Sequence, residues 1–481
     1  MFQLSKEQFR KIAVVLATLT VLVIPLRVAA YGYLPPDDAL RHAAFAMVHR
    51  NWDQILVLAP QFHGDLDSHP GWHAFLRLAH RLAGLDTDGL VVFSYIFSFS
   101  IFSLVGLMKT GKPLPWMLAL GLSFVVAPVL QFRAIDGRPF IVSATVLTFL
   151  LLDWSKEGDH RPRAHLAVIW IMLTAAIWVH PTVWYVWIGV GLCLFICGEY
   201  KRGMFFFGGL VLALLTSALL VPNWRNIFVY PFDIVFSAFG KAPLTRSQLV
   251  EEFQPSGAPA LPLVVAALLL MIRGNIRDVI SAEFRKVDFV LFLGAWGLGL
   301  YVNRFFLDWS LPAFIIWAFR QLDIIIKTNG KKELIGVAAV SAMVYLVMTS
   351  DVSDRYSYSL RDPLLHKPRA EIATMLPERG GVLYSIRMDV FYEVFYRFPD
   401  APFRYIVGFE PGLMPASDLD AMRSIQFNSG LLASYKPWLD KMTDKDRLFL
   451  SLPTKPEWPG FRFDSFYTYW VGRKDPSAVT H

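Results

Sequence analysis

The chain has 481 residues, of which 55% are hydrophobic and 18% charged, with a formal net charge of +7. A soluble chain carries roughly a quarter charged residues, and the apolar residues here gather into runs long enough to cross a bilayer, so the chain reads as an α-helical polytopic membrane protein. The basic residues sit in short loops between those runs, where the positive-inside rule accounts for them, and no basic-aromatic module points to nucleic acid.

Lys6, Arg10 and Lys11 precede the first apolar stretch, 12–30. That stretch is longer than a signal-peptide core and reads as an uncleaved first span. Further spans are expected at 90–108, 114–132, 139–153, 165–180, 183–198, 204–222, 259–273, 287–302, 305–320 and 333–350, about eleven in all. Cys193 and Cys197, one helical turn apart in the sixth, read as packing residues, since two cysteines make neither a disulfide framework nor a zinc site. With the N-terminus inside, every second loop is basic: Lys109 and Lys112, then Lys156, Arg161 and Arg163, then Lys201 and Arg202, then Arg273, Arg277, Arg285 and Lys286, then Arg320, Lys327, Lys331 and Lys332.

Three longer pieces fall on the opposite, outer side. The loop 31–89 holds two stretches with apolar residues at helical spacing. Leu40, Ala44, Met47 and Val48 mark the first, and Phe75, Leu76, Ala79 and Leu82 the second. Both predict amphipathic helices lying at the membrane interface. The loop 223–258 is polar and rich in Phe and Pro. The tail 351–481 alternates short apolar runs with turns. It predicts a small α/β domain with strands at 382–386, 405–407, 448–452 and 466–471 and helices at 370–375 and 416–425. Residues 1–350 then form the transmembrane domain and 351–481 an outer domain.

Three outer clusters can carry chemistry. Asp37-Asp38-Ala39 follows the first span. Asp38 suits helix capping, and either carboxylate suits a general base or metal ligand at the membrane boundary. Asp65-Leu66-Asp67-Ser68-His69-Pro70-Gly71-Trp72-His73 either starts a helix or brings a second carboxylate and an imidazole to the same pocket. Arg133-Ala134-Ile135-Asp136-Gly137-Arg138-Pro139-Phe140 places two arginines on the side that usually lacks them, as headgroup anchors or as phosphate ligands. Asp308 within a span calls for a cavity or a basic partner. Arg304, one turn away, supplies an intrahelical one.

The order of these motifs resembles the GT-C superfamily of polytopic glycosyltransferases, in particular the protein mannosyltransferase-like and aminoarabinose-transferase-like families. Asp37-Asp38-Ala39 resembles their Asp-Glu-Ala motif, with Asp38 for Glu. Asp67-Ser68-His69-Pro70-Gly71-Trp72 resembles their Asp-x-His/Lys-Pro-Pro-aromatic motif, with Gly71 for the second proline. Gly137-Arg138-Pro139-Phe140 resembles Gly-Arg-Pro-Tyr, and His180-Pro181-Thr182 resembles a His-Pro break between spans. The likeness covers residues 1–220 best. It implies a polyprenyl-phosphate-linked sugar as donor and a lipid, glycan or protein as acceptor. It also implies inverting transfer on the outer face of a bacterial inner membrane, with Asp37, or Asp38, as catalytic base. Arg138, then Arg133 and Arg304, would hold the departing phosphate. Asp67 and His69 would orient substrate or tune the base, and His180 would line the site. No cofactor is required, although two acids and a histidine would suffice for a divalent cation. The absence of an Asn-x-Ser/Thr sequon argues against a secretory lumen. The rival readings are a transporter or flippase of a lipid-linked saccharide, an outer-face ligase or polymerase, and a non-catalytic scaffold. A transporter is expected to show repeated halves with polar residues at mid-membrane, whereas here the acids and arginines concentrate in the outer loops and no internal repeat is evident.

Overall fold

The computed structural model describes residues 4–35, 38–62, 65–155, 162–181, 184–232 and 260–475. It is a mostly helical protein with a small C-terminal sheet. The first helix, α1 (Lys6–Ala29), starts at a capping box in which Ser5 and Gln8 satisfy each other's backbone N–H groups. The first loop then carries α2 (Asp38–Met47) and α3 (Pro70–Ala83). Next come α4 (Thr87–Thr110), capped by Asp86, α5 (Pro113–Val126), α6 (Val129–Ile135) and α7 (Phe140–Trp154). They are followed by α8 (Pro162–Val179), α9 (Trp184–Ile196) and α10 (Tyr200–Leu219). Apolar helices at Leu261–Arg273, Val287–Gly299, Leu311–Ile325 and Lys331–Thr349 complete the bundle.

Every predicted span is therefore helical, but the count of about eleven is not supported. Among the described residues four helices are long and apolar enough to cross a membrane: Lys6–Ala29, Thr87–Thr110, Tyr200–Leu219 and Lys331–Thr349. The bent pair α5 and α6 makes a fifth if it counts as one span. The reason is length. A helix of 15 residues such as α7 rises about 22 Å, against a hydrocarbon core of about 30 Å. The expected span 114–132 is not straight. It breaks at Ala127–Pro128 and turns through 114°, where the proline has no N–H to continue the helical ladder. That turn carries Arg133 into the protein, where it is buried.

Two ends of the bundle are chemically distinct. At one, the Arg10 guanidinium donates to the Gly111 carbonyl at the end of α4, and Lys112 pairs with Asp323 at 2.6 Å. At the other, Tyr31 just past α1 donates to the carbonyl of Thr349, and the Leu34 N–H to Ser359 Oγ. The basic loop 156–161 and residues 233–259 of the second outer loop lie outside the described residues.

The tail folds as expected in kind, with one misplaced strand. Strands β1 (Val382–Tyr384), β2 (Arg404–Tyr405), β3 (Arg447–Leu450), β4 (Phe461–Phe466) and β5 (Tyr469–Lys474) form one sheet in the order β2-β1-β3-β5-β4. β1 runs parallel to both neighbours, while β4 and β5 form an antiparallel hairpin. The strand expected at 466–471 straddles the turn of that hairpin, where Tyr467 has φ of 53°. Beyond β2 the sheet takes in the first loop. Leu56 bridges Tyr405 in parallel, and the Val57 N–H donates to the Tyr405 carbonyl at 3.0 Å.

An unforeseen helix, Met388–Arg397, packs its buried Val390, Phe391, Val394 and Phe395 toward α2. This corrects the expectation that α2 lies at the interface. Every residue of α2 from Ala39 to Ala46 is buried, Arg41 and His42 included. Only α3 keeps an exposed apolar edge, at Leu78 and Leu82.

Candidate functional site

Asp38 is the first residue of α2. Its Oδ1 accepts from Arg41, one turn on, at 3.0 Å, and its Oδ2 accepts from Arg138 Nη2 at 3.0 Å. Arg138 reaches that carboxylate by a tight turn. Gly137 has φ of +68°, and a Cβ there would lie 2.2 Å from Ser94 Oγ, so only glycine lets the turn sit against α4. The Arg41 guanidinium lies 4.3 Å from the centroid of Phe409, which the C-terminal unit supplies. Its Nη1 is buried without a hydrogen-bond partner. Asp37 lies outside the described residues.

The second cluster begins at Asp67. Its carboxylate accepts from the His69 N–H at 2.9 Å and from His73 Nδ1 at 2.8 and 3.0 Å. His73 Nε2 meets His42 Nδ1 at 2.8 Å, and His42 Nε2 meets Arg41 Nη2 at 3.4 Å. Burial drives the His42 ring well below the usual imidazole range, reinforced by the charge of Arg41. Burial lowers His73 too, against the opposing pull of Asp67. Both rings are neutral at pH 7. Burial alone would raise the Asp67 carboxyl, but His73 and the His69 N–H outweigh it, so Asp67 stays ionised below the ordinary carboxylate range.

His69 connects the first loop to the bundle. Its ring stacks on His180 at 5.4 Å and 10°, and its Nδ1 lies 2.8 Å from Ser68 Oγ. The close approach has a cause at Gly71, where a Cβ would fall 2.6 Å from the Trp178 carbonyl oxygen. A second proline, as in the resembling motif, has no room there. His180 Nε2 accepts from Arg304 Nη2 at 2.9 Å. Arg304 Nε donates to Asp308 Oδ2 at 3.1 Å, the intrahelical pair expected from sequence. That pair is part of something larger. Asp308 Oδ1 also accepts from Arg133 Nη2 at 2.6 Å, across 175 residues of sequence. Asp308 sits in a π-helical stretch, Phe306–Ser310, that widens the helix and aims the carboxylate inward. Arg133 stacks 3.8 Å from the centroid of Phe140, with Arg138 at 5.6 Å from the same ring.

Thus Asp38, Asp67, His69, Arg133, Arg138, His180 and Arg304 stand in one contiguous constellation with Arg41, His42, His73 and Asp308 joining them. Sequence reasoning assigns no role to Arg41, His42 or His73, although His73 closes the second motif. Their signal was a basic residue on an otherwise apolar helix face. Arg355, which hydrogen-bonds Gln131 and three carbonyls at the end of Lys331–Thr349, had no sequence signal. No group of three His, Cys, Asp or Glu side chains suited to a metal ion occurs among the described residues. Chemically, the constellation presents cationic guanidiniums held by carboxylates, beside neutral imidazoles able to accept protons. Comparison with family models and with curated proteins returns no match.

Proposed function

We propose that this chain is a GT-C-like glycosyltransferase that moves a sugar from a polyprenyl-phosphate donor to a lipid, glycan or protein acceptor. One observation carries the reading. Arg133, Arg138 and Arg304 converge at one end of the bundle, beside the first-loop carboxylates, in a buried setting where a phosphate would meet little competing water. Transfer breaks the bond between the anomeric carbon and phosphate oxygen, and negative charge grows on the leaving phosphate. Fixed guanidiniums stabilise that charge without reorganising. Asp38 and Asp308 hold the arginines in place before substrate arrives.

Asp37 is the favoured base. Asp38 already accepts from two guanidiniums, which leaves its oxygens poorly available to an incoming hydroxyl. Attack from the face opposite the phosphate inverts the anomeric centre. The constellation lies at the end of α1 remote from Lys6 and Arg10. With basic loops inside, that end is the outer, periplasmic face of a bacterial inner membrane. The polyprenyl tail would stay in the bilayer while the sugar phosphate enters the polar end.

The test is reconstitution with undecaprenyl-phosphate sugars. Asp37→Asn is expected to lower transfer by about 10²-fold or more, within the range for loss of a general base. Arg138→Ala is expected to lower it comparably, while Asp38→Asn loses activity through misplaced arginines. Wild-type transfer by all three folded variants would remove the site assignment. Cysteine accessibility at positions 37 and 138 should report the same membrane side; opposite sides would remove topology and mechanism together.

A further inference from the structure

The end of the bundle remote from the candidate site holds a polar cavity of 210 Å³. α7 and Leu311–Ile325 end beside it, and α10 and Val287–Gly299 begin beside it. A larger cavity of 340 Å³ adjoins it, sharing Ser155 and Arg320 as wall residues and reaching the Lys112–Asp323 pair. Its depth follows from α10. That helix is long and apolar enough to cross a bilayer, so its first turn, where Arg202 lies, marks a bilayer surface.

The walls carry more cations than their acids neutralise. Arg320 donates to both Asp288 oxygens, at 2.6 and 2.9 Å, and to buried Glu283 at 2.9 Å. Glu283 also accepts from Arg273 at 2.7 Å, so these two arginines and two acids balance. Arg202 stands 3.4 Å from Glu199 and balances it. Arg285 and Lys286 remain. Both are exposed on the wall, and neither side chain has an ion-pair or hydrogen-bond partner among the described residues. Arg320 Nη1 likewise donates to nothing among them, in a residue that lines both cavities. The positive-inside rule accounts for cations in a loop. It does not account for a cavity walled by four helices around a mostly buried arginine. Guanidinium and ammonium groups gathered in this way suit a phosphate. The surroundings say which kind. Phe284 precedes Arg285, Tyr200 lies between Glu199 and Arg202, and Ile196 is one turn before Tyr200; all three are exposed. Acyl chains would cover them, and a free phosphate would not.

We propose that this cavity seats the phosphodiester headgroup of an anionic phospholipid, with Arg285, Lys286 and Arg320 Nη1 as its ligands. Basic pockets between membrane helices bind such headgroups because the charge is met where little water competes. The acyl chains lie along the exposed apolar residues at the start of α10. The site stands apart from the arginines proposed to bind the sugar phosphate and is independent of the glycosyl-transfer reading.

Native mass spectrometry of the delipidated full-length protein in a neutral detergent tests the site. The probes are dioleoyl phosphatidylglycerol, dioleoyl phosphatidylcholine and inorganic phosphate. Phosphatidylglycerol should bind about 10-fold more tightly than phosphatidylcholine, which has the same chains and no net charge. The double variant Arg285→Gln/Lys286→Gln should bind phosphatidylglycerol about 30-fold more weakly and phosphatidylcholine as before. Lys331→Gln/Lys332→Gln removes the same charge from exposed positions outside the cavity and should keep the wild-type affinity. Both pairs are exposed, so neither double variant leaves a buried charge unpaired. An equal loss in the two double variants overturns the site in favour of diffuse surface charge. Equal affinity of the wild type for the two lipids overturns headgroup recognition. Displacement of phosphatidylglycerol by an equal concentration of inorganic phosphate overturns the lipid as occupant.

Discussion

At the scale of single residues, the buried histidines tie stability to pH. His42, His69 and His73 all titrate below the usual imidazole range, chiefly because burial disfavours the charged ring. Between the folded and unfolded pKa values the unfolded chain binds protons that the native state does not. Stability therefore rises with pH across that window and is complete above the unfolded value of about 6.5. Each such ring contributes a slope of about 1.4 kcal/mol per pH unit within it. Asp67 acts with the same sign in a lower window, its contribution present above the ordinary carboxylate pKa and lost as pH falls through the depressed one. Thermal unfolding in detergent should show the midpoint falling as pH drops from 7 to 5, with a shallower fall in His42→Gln. A midpoint flat across that range would contradict neutral buried rings.

At the scale of elements, broken helices place the arginines and their carboxylate. The 114° turn between α5 and α6 directs Arg133 inward, and the π-helical stretch before Leu311–Ile325 directs Asp308 toward it. The resulting Arg133–Asp308–Arg304 triad is buried, with side-chain exposures of 6%, 5% and 14%. Its two guanidiniums share the Asp308 carboxylate. Breaking a buried pair leaves an uncompensated charge and costs about 3–5 kcal/mol. Asp308→Asn should therefore destabilise by that order, seen as a lower melting temperature, and should lower transfer through disordered arginines. Retained stability in this variant would show that other groups neutralise the arginines. The covering of α2 belongs to the same scale. Its sequence has an apolar stripe, and a stripe reports that one face is buried without saying what covers the other. Met388–Arg397, more than 300 residues on, covers it.

At the scale of the whole molecule, the C-terminal unit and the first loop are one structure. Residues 55–59 pair with the β2 edge and with Leu413, and the Tyr405 N–H donates to Ile55 O at 2.9 Å. Tyr396 hydrogen-bonds Asp88 at the start of α4. Phe409 and Trp52 lie in contact, with ring centroids 4.9 Å apart, on the Arg41 side of the site. A chain ending at residue 350 should accordingly lose more than its tail. The backbone groups of residues 55–59 and the apolar surface of α2 would be uncovered, and limited proteolysis should cut within 38–62 in the shortened chain but not in the full one. Equal resistance in both would mean that the first loop is ordered by the bundle alone.

The sequence by itself determined where helices form, which runs are apolar, and which residue types sit in the loops beside them, because these follow from local periodicity and transfer energy. It also assembled a list of site residues whose seven described members meet in space, since ionisable groups at helix ends beside an apolar layer have few stable places other than a shared polar pocket. Only the tertiary structure decided which helices are long enough to span, since the angle at which a helix bends and the place where one widens, as at the π-helical stretch, depend on packing. It alone showed that Asp38 is held by two arginines, that Asp308 answers to Arg133 as well as to Arg304, and that His42 and His73 form a chain to Asp67. Three of those pairings, His42–His73, Asp38–Arg138 and Arg133–Asp308, join residues 31, 100 and 175 positions apart, and nothing in local spacing selects one distant partner over another.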